Sequence, residues 1–295
     1  MISKRTAGER VFGLLNIVIL SIVSLICIYP MLYILFASFS DPRLLIQHQG
    51  ILFAPLGFTA KGYMLVLNNP NIGTGYYNTI LYVAGGTFIS MLLTCLGAYA
   101  LSRKRVLLSK YIMILITITM FFSGGLIPFY LLIMKLGMIN TRWAILLPGA
   151  LSSWNLIIMR TSFAGIPDGL LESAKIDGAN DFSILFRIVL PVSRAVISVM
   201  ILFYAVGMWN SWFNAAIFLK KRSLFPIQLI LREILILNDK SQMLQIKVVN
   251  PKDAGMYRML VQYTTIIVAT VPILLIYPFL QKYFVKGVFV GSLKG

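Results

Sequence analysis

Residues 170–191 read LLESAKIDGANDFSILFRIVLP, and their polarity sets them apart from the chain on either side. The protein has 295 residues, 59% of them hydrophobic and 12% charged. It holds nine acidic residues, and four of these, Asp168, Glu172, Asp177 and Asp181, fall within fourteen positions here. Apolar runs flank the stretch on both sides, each long enough to cross a bilayer, since about 20 helical residues span roughly 30 Å of hydrocarbon. The stretch therefore reads as a short water-facing segment between two membrane crossings.

The mean hydropathy of +0.86 extends that reading to the whole chain. Lipid admits only helices or closed barrels, and the apolar runs are continuous rather than alternating, which selects helices. The expected fold is an all-α polytopic membrane protein in one transmembrane domain, 1–295. Six transmembrane helices are predicted at about 11–39, 78–101, 111–134, 143–159, 195–219 and 260–283. The first apolar run is about twice the length of a signal-peptide core and no small-x-small cleavage site closes it, so it reads as a retained span.

Orientation follows from lysine and arginine. With the N-terminus in the cytoplasm, the inner segments carry fourteen of them and the first two outer loops four. The remaining eight lie in the long loop 220–258, which the positive-inside rule weighs lightly, although Lys220, Lys221 and Arg222 next to the span oppose the assignment. Both termini and the loop 160–194 are then cytoplasmic, and loop 220–258 is extracytoplasmic. The net charge of +17 fits this bias and attraction to anionic headgroups, so no nucleic-acid partner is expected.

Several chemistries are excluded. Cys27 and Cys95 both sit in apolar runs and His48 is the only histidine, which gives no disulfide framework and no metal site. No nucleophile–base pair or paired acid is visible, so no catalytic residue is expected. The dipeptide Gly-Lys is absent, and with it any Walker-type phosphate loop; a nucleotide, if used, binds elsewhere. The spans offer few candidates for a buried acid relay, which argues against an ion-driven carrier.

Within the quoted stretch, Pro167-Asp168 predicts a helix start with Asp168 as N-cap, and Gly178 predicts its end in a left-handed C′ conformation. Asn180 predicts the cap of a second helix over about 182–190 that Pro191 breaks or turns. Leu170, Leu171, Ala174 and Gly178 share one side of the first helix, flanked by Glu172, Lys175 and Asp177. Such a small apolar ridge serves either docking to a partner or packing on the chain's own bundle.

The pattern Glu172-Ser173-Ala174, Gly178, Ile188-Val189-Leu190-Pro191 resembles the EAA motif of ABC importer permeases, with Ser173 in place of the usual first alanine. "IYPMLYILFASFSD", "YNTILYVAGG", "GAYALSRKR", "FSGGLIPFYLLIMKLGMINTRWAILLP", "MWNSWFNA" and "LQKYFVKGVFVGSLKG" extend the resemblance to carbohydrate-uptake, maltose-type permeases over nearly the whole chain. "FSGGLIPFYL" is most similar to the branch for polysaccharide fragments or lipo-oligosaccharides. The resemblance implies a type I importer transmembrane domain whose hairpin is a coupling helix seated in a cytoplasmic ATPase. Glu172, Ser173, Ala174, Asp177, Gly178 and Ala179 would be its contacts. It further implies a second homologous permease, two ATPase subunits or domains carrying ATP and Mg, an extracytoplasmic substrate-binding protein, and a prokaryotic cell membrane. This chain itself would bind no cofactor.

Sugars are held by amides and flat aromatic faces, so Tyr130, Asn155, Trp209, Asn210 and Asn214 are the candidate substrate-pathway residues. Interfacial anchoring or interhelical packing is the competing reading for each. The family resemblance makes 247–256 the segment that reaches the binding protein, through Lys247, Asn250, Pro251, Lys252, Asp253 and Gly255; a solvated lid is the alternative. An ABC permease for a peptide or lipid-linked sugar, or an ion-coupled carrier, are the rival functions.

Overall fold

The computed structural model describes residues 6–103, 106–237 and 257–275. The expected binding-protein segment and the last span beyond residue 275 lie outside them. In chain order the α-helices are α1 (Ala7–Ser38), α2 (Pro42–Gln47), α3 (Lys61–Leu67), α4 (Pro70–Ser102), α5 (Ser109–Phe121), α6 (Leu126–Lys135), α7 (Trp143–Leu146), α8 (Ser153–Ala164) and α9 (Asp168–Ile176). They continue as α10 (Asp181–Ile184), a π-helical turn (Leu185–Val189), α11 (Leu190–Val192), α12 (Arg194–Trp209), α13 (Phe213–Phe218), α14 (Ile227–Arg232) and α15 (Tyr257–Leu275). Among the described residues there is no strand, only an isolated bridge between Ser40 and Phe58.

The chain divides into two compact units. One comprises residues 1–69 and 234–271. Its α1 opens with a capping box, in which the Thr6 hydroxyl accepts from Glu9 N–H and the Glu9 carboxylate accepts from Thr6 N–H. No residue in the most apolar window of α1 is buried, as a lipid-facing helix requires. A small core forms only at its far end, where Ala37, Leu45 and Leu52 pack with Tyr33, Phe36 and Tyr263. Ser38 and Tyr63 share a 2.8 Å hydroxyl bond there, and the Ser40 hydroxyl accepts from Leu56 N–H.

The other unit comprises 70–233 and 272–295 and is built on α4. α4 begins at Pro70, earlier than the expected Asn78, because a proline at a helix start loses no hydrogen bond. It packs most extensively on α12 and α8. The main apolar core joins Ala98 and Leu101 of α4 to Leu156, Met159 and Phe163 of α8, Leu171 and Ala174 of α9, Ile184, Leu185 and Val189, and Met200 of α12. Thr94 and Tyr204 exchange a buried 2.7 Å hydroxyl bond between α4 and α12, and the same Tyr204 hydroxyl accepts from Ser152 N–H.

At its other end α4 holds a short 3-10 helix, Arg222–Leu224, and the start of α14. Asn78 Nδ2 donates to the carbonyls of Ser223 and Phe225 at 2.8 and 3.2 Å, and the Tyr82 hydroxyl donates to Leu224 O. Thr79 Oγ1 accepts from Ile227 N–H at 2.8 Å while donating to Gly75 O. Gly75 is small for a reason: an added Cβ would stand 2.6 Å from Ile230 Cδ1 and 3.3 Å from Ile227 Cα.

Three expected spans are not straight helices. The run read as 111–134 is α5 and α6, which meet at 115°. Gly124 and Gly125 sit in the break, and Gly125 has φ +81° and ψ 170°, a conformation open essentially to glycine alone. The run read as 143–159 is α7 and α8, parted at Pro148-Gly149, where Gly149 has φ +77°. The run read as 195–219 breaks after Trp209 into α12 and α13. Among the described residues, three helices are long and apolar enough to cross a membrane, or five when each bent pair counts as one. Apolarity marked where the chain is greasy; glycine and proline mark two of the three breaks, and the third falls at Asn210-Ser211-Trp212.

Replacing Thr79 by valine removes the acceptor of the buried Ile227 N–H and should cost about 1–3 kcal/mol. Thermal unfolding of the purified protein should show a lowered midpoint for Thr79→Val. Thr161→Val, which removes only a bond to Ile157 O in its own helix, should leave the midpoint nearly unchanged.

Candidate functional site

The polar hairpin folds by local rules. Pro167 takes the N-cap position and makes no side-chain capping bond, so the expected N-cap, Asp168, is instead the first helical residue. Its charge still lies in the first turn, where the helix dipole favours it. α9 ends at Ile176 with Asp177 as C-cap and Gly178 at φ +79°. Ala179 N–H donates to Ala174 O at 2.9 Å and Gly178 N–H to Lys175 O at 3.1 Å, the paired bonds of a Schellman motif. Asn180 then caps the next helix, its side chain accepting from Ser183 N–H at 2.8 Å.

Beyond Asn180 the second limb runs on past the expected stop. Pro191 lies inside α11, and the chain turns by 89° only at Ser193. The π-helical turn before Pro191 explains this. Leu190 N–H reaches back five residues to Leu185 O, and the widened turn makes room for the proline ring.

α9 has two faces. Leu171 and Ala174, two members of the expected docking ridge, are buried in the chain's own core. These two side chains pack on the bundle. Leu170 is half exposed, while Glu172, Ser173, Asp177 and Gly178 are exposed and Ala179 is partly buried. Ile176 is 86% exposed and Phe182 66%, an apolar pair on the outer side of the hairpin that the sequence reading had passed over.

The hairpin is tied to α4 by residues outside it. The Tyr99 hydroxyl donates to Asp181 Oδ1 at 3.2 Å, and Lys175 Nζ lies 3.5 Å from the same oxygen. Arg103 stacks over the Tyr99 ring at 5.1 Å and donates through Nη2 to Phe163 O at 2.8 Å. Arg160 Nε donates to Leu101 O at 3.1 Å. The two arginines thus cap the C-terminal carbonyls of each other's helices, α4 and α8. The only trace in the sequence was the basic run after α4, which orientation alone had seemed to explain.

The five candidate pathway residues do not converge on one another through hydrogen bonds among the described residues. Tyr130 of α6 stacks on Phe218 of α13. Asn155 is buried in α8. Trp209 is buried against Tyr76, and the Asn210 amide donates to Val206 O of its own helix. Asn214 is half-buried on α13. Two pairings near this end were unforeseen: Arg232 lies 3.9 Å over the Trp212 ring, and Arg222 lies 3.5 Å from Glu233. No group of three His, Cys, Asp or Glu side chains among the described residues could hold a metal ion.

Residues 86–290 match the family described as the binding-protein-dependent transport system inner membrane component. This chain belongs to that family. The permease is 38% identical over 289 residues to the polygalacturonan/rhamnogalacturonan transport system permease protein YtcP of Bacillus subtilis (strain 168), covering 97% of this chain and 99% of that one. It is 38% identical over 292 residues to Protein LplC of the same organism, covering 98% and 97%. A solved bacterial ABC transporter involved in the import of the acidic polysaccharide alginate has a chain that superposes with a TM-score of 0.86 at 31% identity. The match covers 95% of the permease and 99% of that chain. The permease is therefore a transport subunit and not an enzyme, and its family implies an ATPase and a substrate-binding protein as partners.

Gly178 meets no neighbour within 4 Å of an added Cβ, so its requirement is conformational alone. Gly178→Val should strain the Schellman turn by about 1–2 kcal/mol. Hydrogen exchange should quicken at the Gly178 and Ala179 amides in that variant. Gly169→Ala, in an open helical position, should leave both amides protected.

Proposed function

We propose that this permease carries an oligosaccharide across the cell membrane, driven by ATP hydrolysis on a separate subunit that docks on the α9 hairpin. The observation that carries the reading is the match along nearly the full chain to YtcP, named for polygalacturonan and rhamnogalacturonan transport, and to the alginate importer chain. Fragments of an acidic polysaccharide are the substrate class that both names support.

In this reading the exposed face of α9, with Glu172, Ser173, Ile176, Asp177 and Gly178, meets the ATPase. Ala174 contributes by letting α9 lie close against its own bundle, and Ala179 by closing the turn. The hairpin and both termini face the cytoplasm, and six crossings carry the chain through the membrane. A second homologous permease completes the pathway, and two ATPase subunits or domains supply ATP and Mg. Asn155, Asn210, Asn214, Tyr130 and Trp209 are the pathway candidates within this chain. The segment containing Lys247, Asn250, Pro251, Lys252, Asp253 and Gly255 meets the binding protein outside.

Closure of the ATPases would push the hairpin as a rigid body. The Tyr99–Asp181 bond and the paired arginines pass that push to α4 and α8 without waiting for α9 to refold. The 89° turn at Ser193 carries it into α12.

The complete transporter in vesicles should take up labelled oligogalacturonate when ATP and the binding protein are supplied. A proton ionophore should leave that uptake intact. Uptake that ignores ATP and collapses with the ionophore would instead make the chain an ion-coupled carrier. An Ile176→Cys chain should crosslink to the ATPase subunit, whereas labelling of that cysteine only from outside the cell would overturn the hairpin's placement.

A further inference from the structure

A cavity of about 1080 Å³ in the α4 unit lies between the end of α4, the start of α5 and the edge of α9. Four cationic side chains line it, Arg103, Lys110, Arg160 and Lys175, against two acids, Asp168 and Glu172. Lys175 is committed to Asp181, and the two arginines spend part of their donors on Phe163 O and Leu101 O. Lys110 is exposed and makes no ion pair among the described residues. The first turn of α5, which also lines the cavity, has no side-chain cap. The positive end of the helix dipole adds to the field of the cations.

The opposite wall is apolar. Tyr111, Met113, Ile114 and Ile118 of α5 line the cavity. None of the 13 residues of α5 is buried, so this wall continues as a bare apolar face beyond the cavity. Leu107 and Leu108 stand 88% and 65% exposed at the turn into α5, and Leu108 holds φ +65°, a strained setting for a leucine. Two such leucines in water would be costly; at the membrane interface they insert.

We propose that this cavity seats the headgroup of an anionic phospholipid, with its acyl chains lying along α5. A soluble anion would satisfy the cations but leave the wall bare. An ATPase in water cannot cover α5 within the hydrocarbon. A second permease obeying the same positive-inside bias would bring more cations to this level, not counterions. A lipid alone supplies negative charge and apolar length together.

The test uses the complete transporter reconstituted in phosphatidylcholine vesicles doped with phosphatidylglycerol, then extracted gently, with retained lipid quantified by mass spectrometry. Phosphatidylglycerol should be enriched over its share of the vesicle, and Lys110→Glu should reduce that enrichment about fivefold. Ile114→Ser, which keeps every charge, should also reduce it, and an excess of glycerol phosphate should not displace the lipid. Equal retention by wild type and Lys110→Glu overturns the proposal. So does displacement by glycerol phosphate, which would make the cavity a soluble-anion site. Crosslinking of a Lys110→Cys chain to the second permease, in place of a photoactivatable phosphatidylglycerol, likewise overturns it.

Discussion

A backbone polar group removed from water must find a partner, and in the α4 unit one helix supplies several of them. Asn78, Thr79 and Tyr82 of α4 satisfy the segment 223–227, which leads from a 3-10 helix into α14. Thr94 binds Tyr204, which also holds the amide that opens the approach to α8. Tyr99 holds Asp181, at the foot of the hairpin's second limb. These polar positions would be expensive on a lipid-facing helix; here they are the means by which α4 holds short helices and the turns between them inside an apolar protein.

That arrangement lets the remaining helices be short and bent. The turn between α5 and α6, the gap between α7 and α8, the corner at Ser193 and the break after Trp209 all interrupt apolar runs that a straight helix could have used. Glycine with positive φ permits two of these interruptions. The π-helical turn upstream of Pro191 permits a third, by moving the corner beyond the proline. A permease must change shape between two states, and rigid pieces joined at defined corners can do so with little repacking.

The hairpin illustrates how one short helix serves two surfaces. Nine residues cannot form a stable helix alone in water. α9 gains its stability inward, from Leu171 and Ala174 in the core and from a Schellman turn, and so keeps its outer face free. Ser173, whose hydroxyl donates to Leu170 O within its own helix, and Ile176, 86% exposed, leave that outer face open to contact with another protein. The Tyr99–Asp181 bond fixes the hairpin to α4, and the Arg103 and Arg160 bonds fix α4 to α8, which leads into the hairpin; a lever between subunits requires such ties.

The sequence by itself determined whatever depends on composition and on neighbours a few residues apart. Its apolar runs imposed helices, its one acidic island marked the hairpin, and Gly178 and Asn180 set the turn and the cap within it. Those features follow from backbone preferences and hydrophobic burial, which a local window contains. Tertiary structure alone decided that Leu171 and Ala174 turn inward, that Trp209 is packed against Tyr76, and that Tyr99 and Arg103 belong to the hairpin's foundation. Each of these depends on a partner distant in the chain, and an apolar or aromatic side chain has no local sign of which surface will cover it. In a chain this apolar nearly every face could be buried, so only the packing of helices against one another selected which faces were.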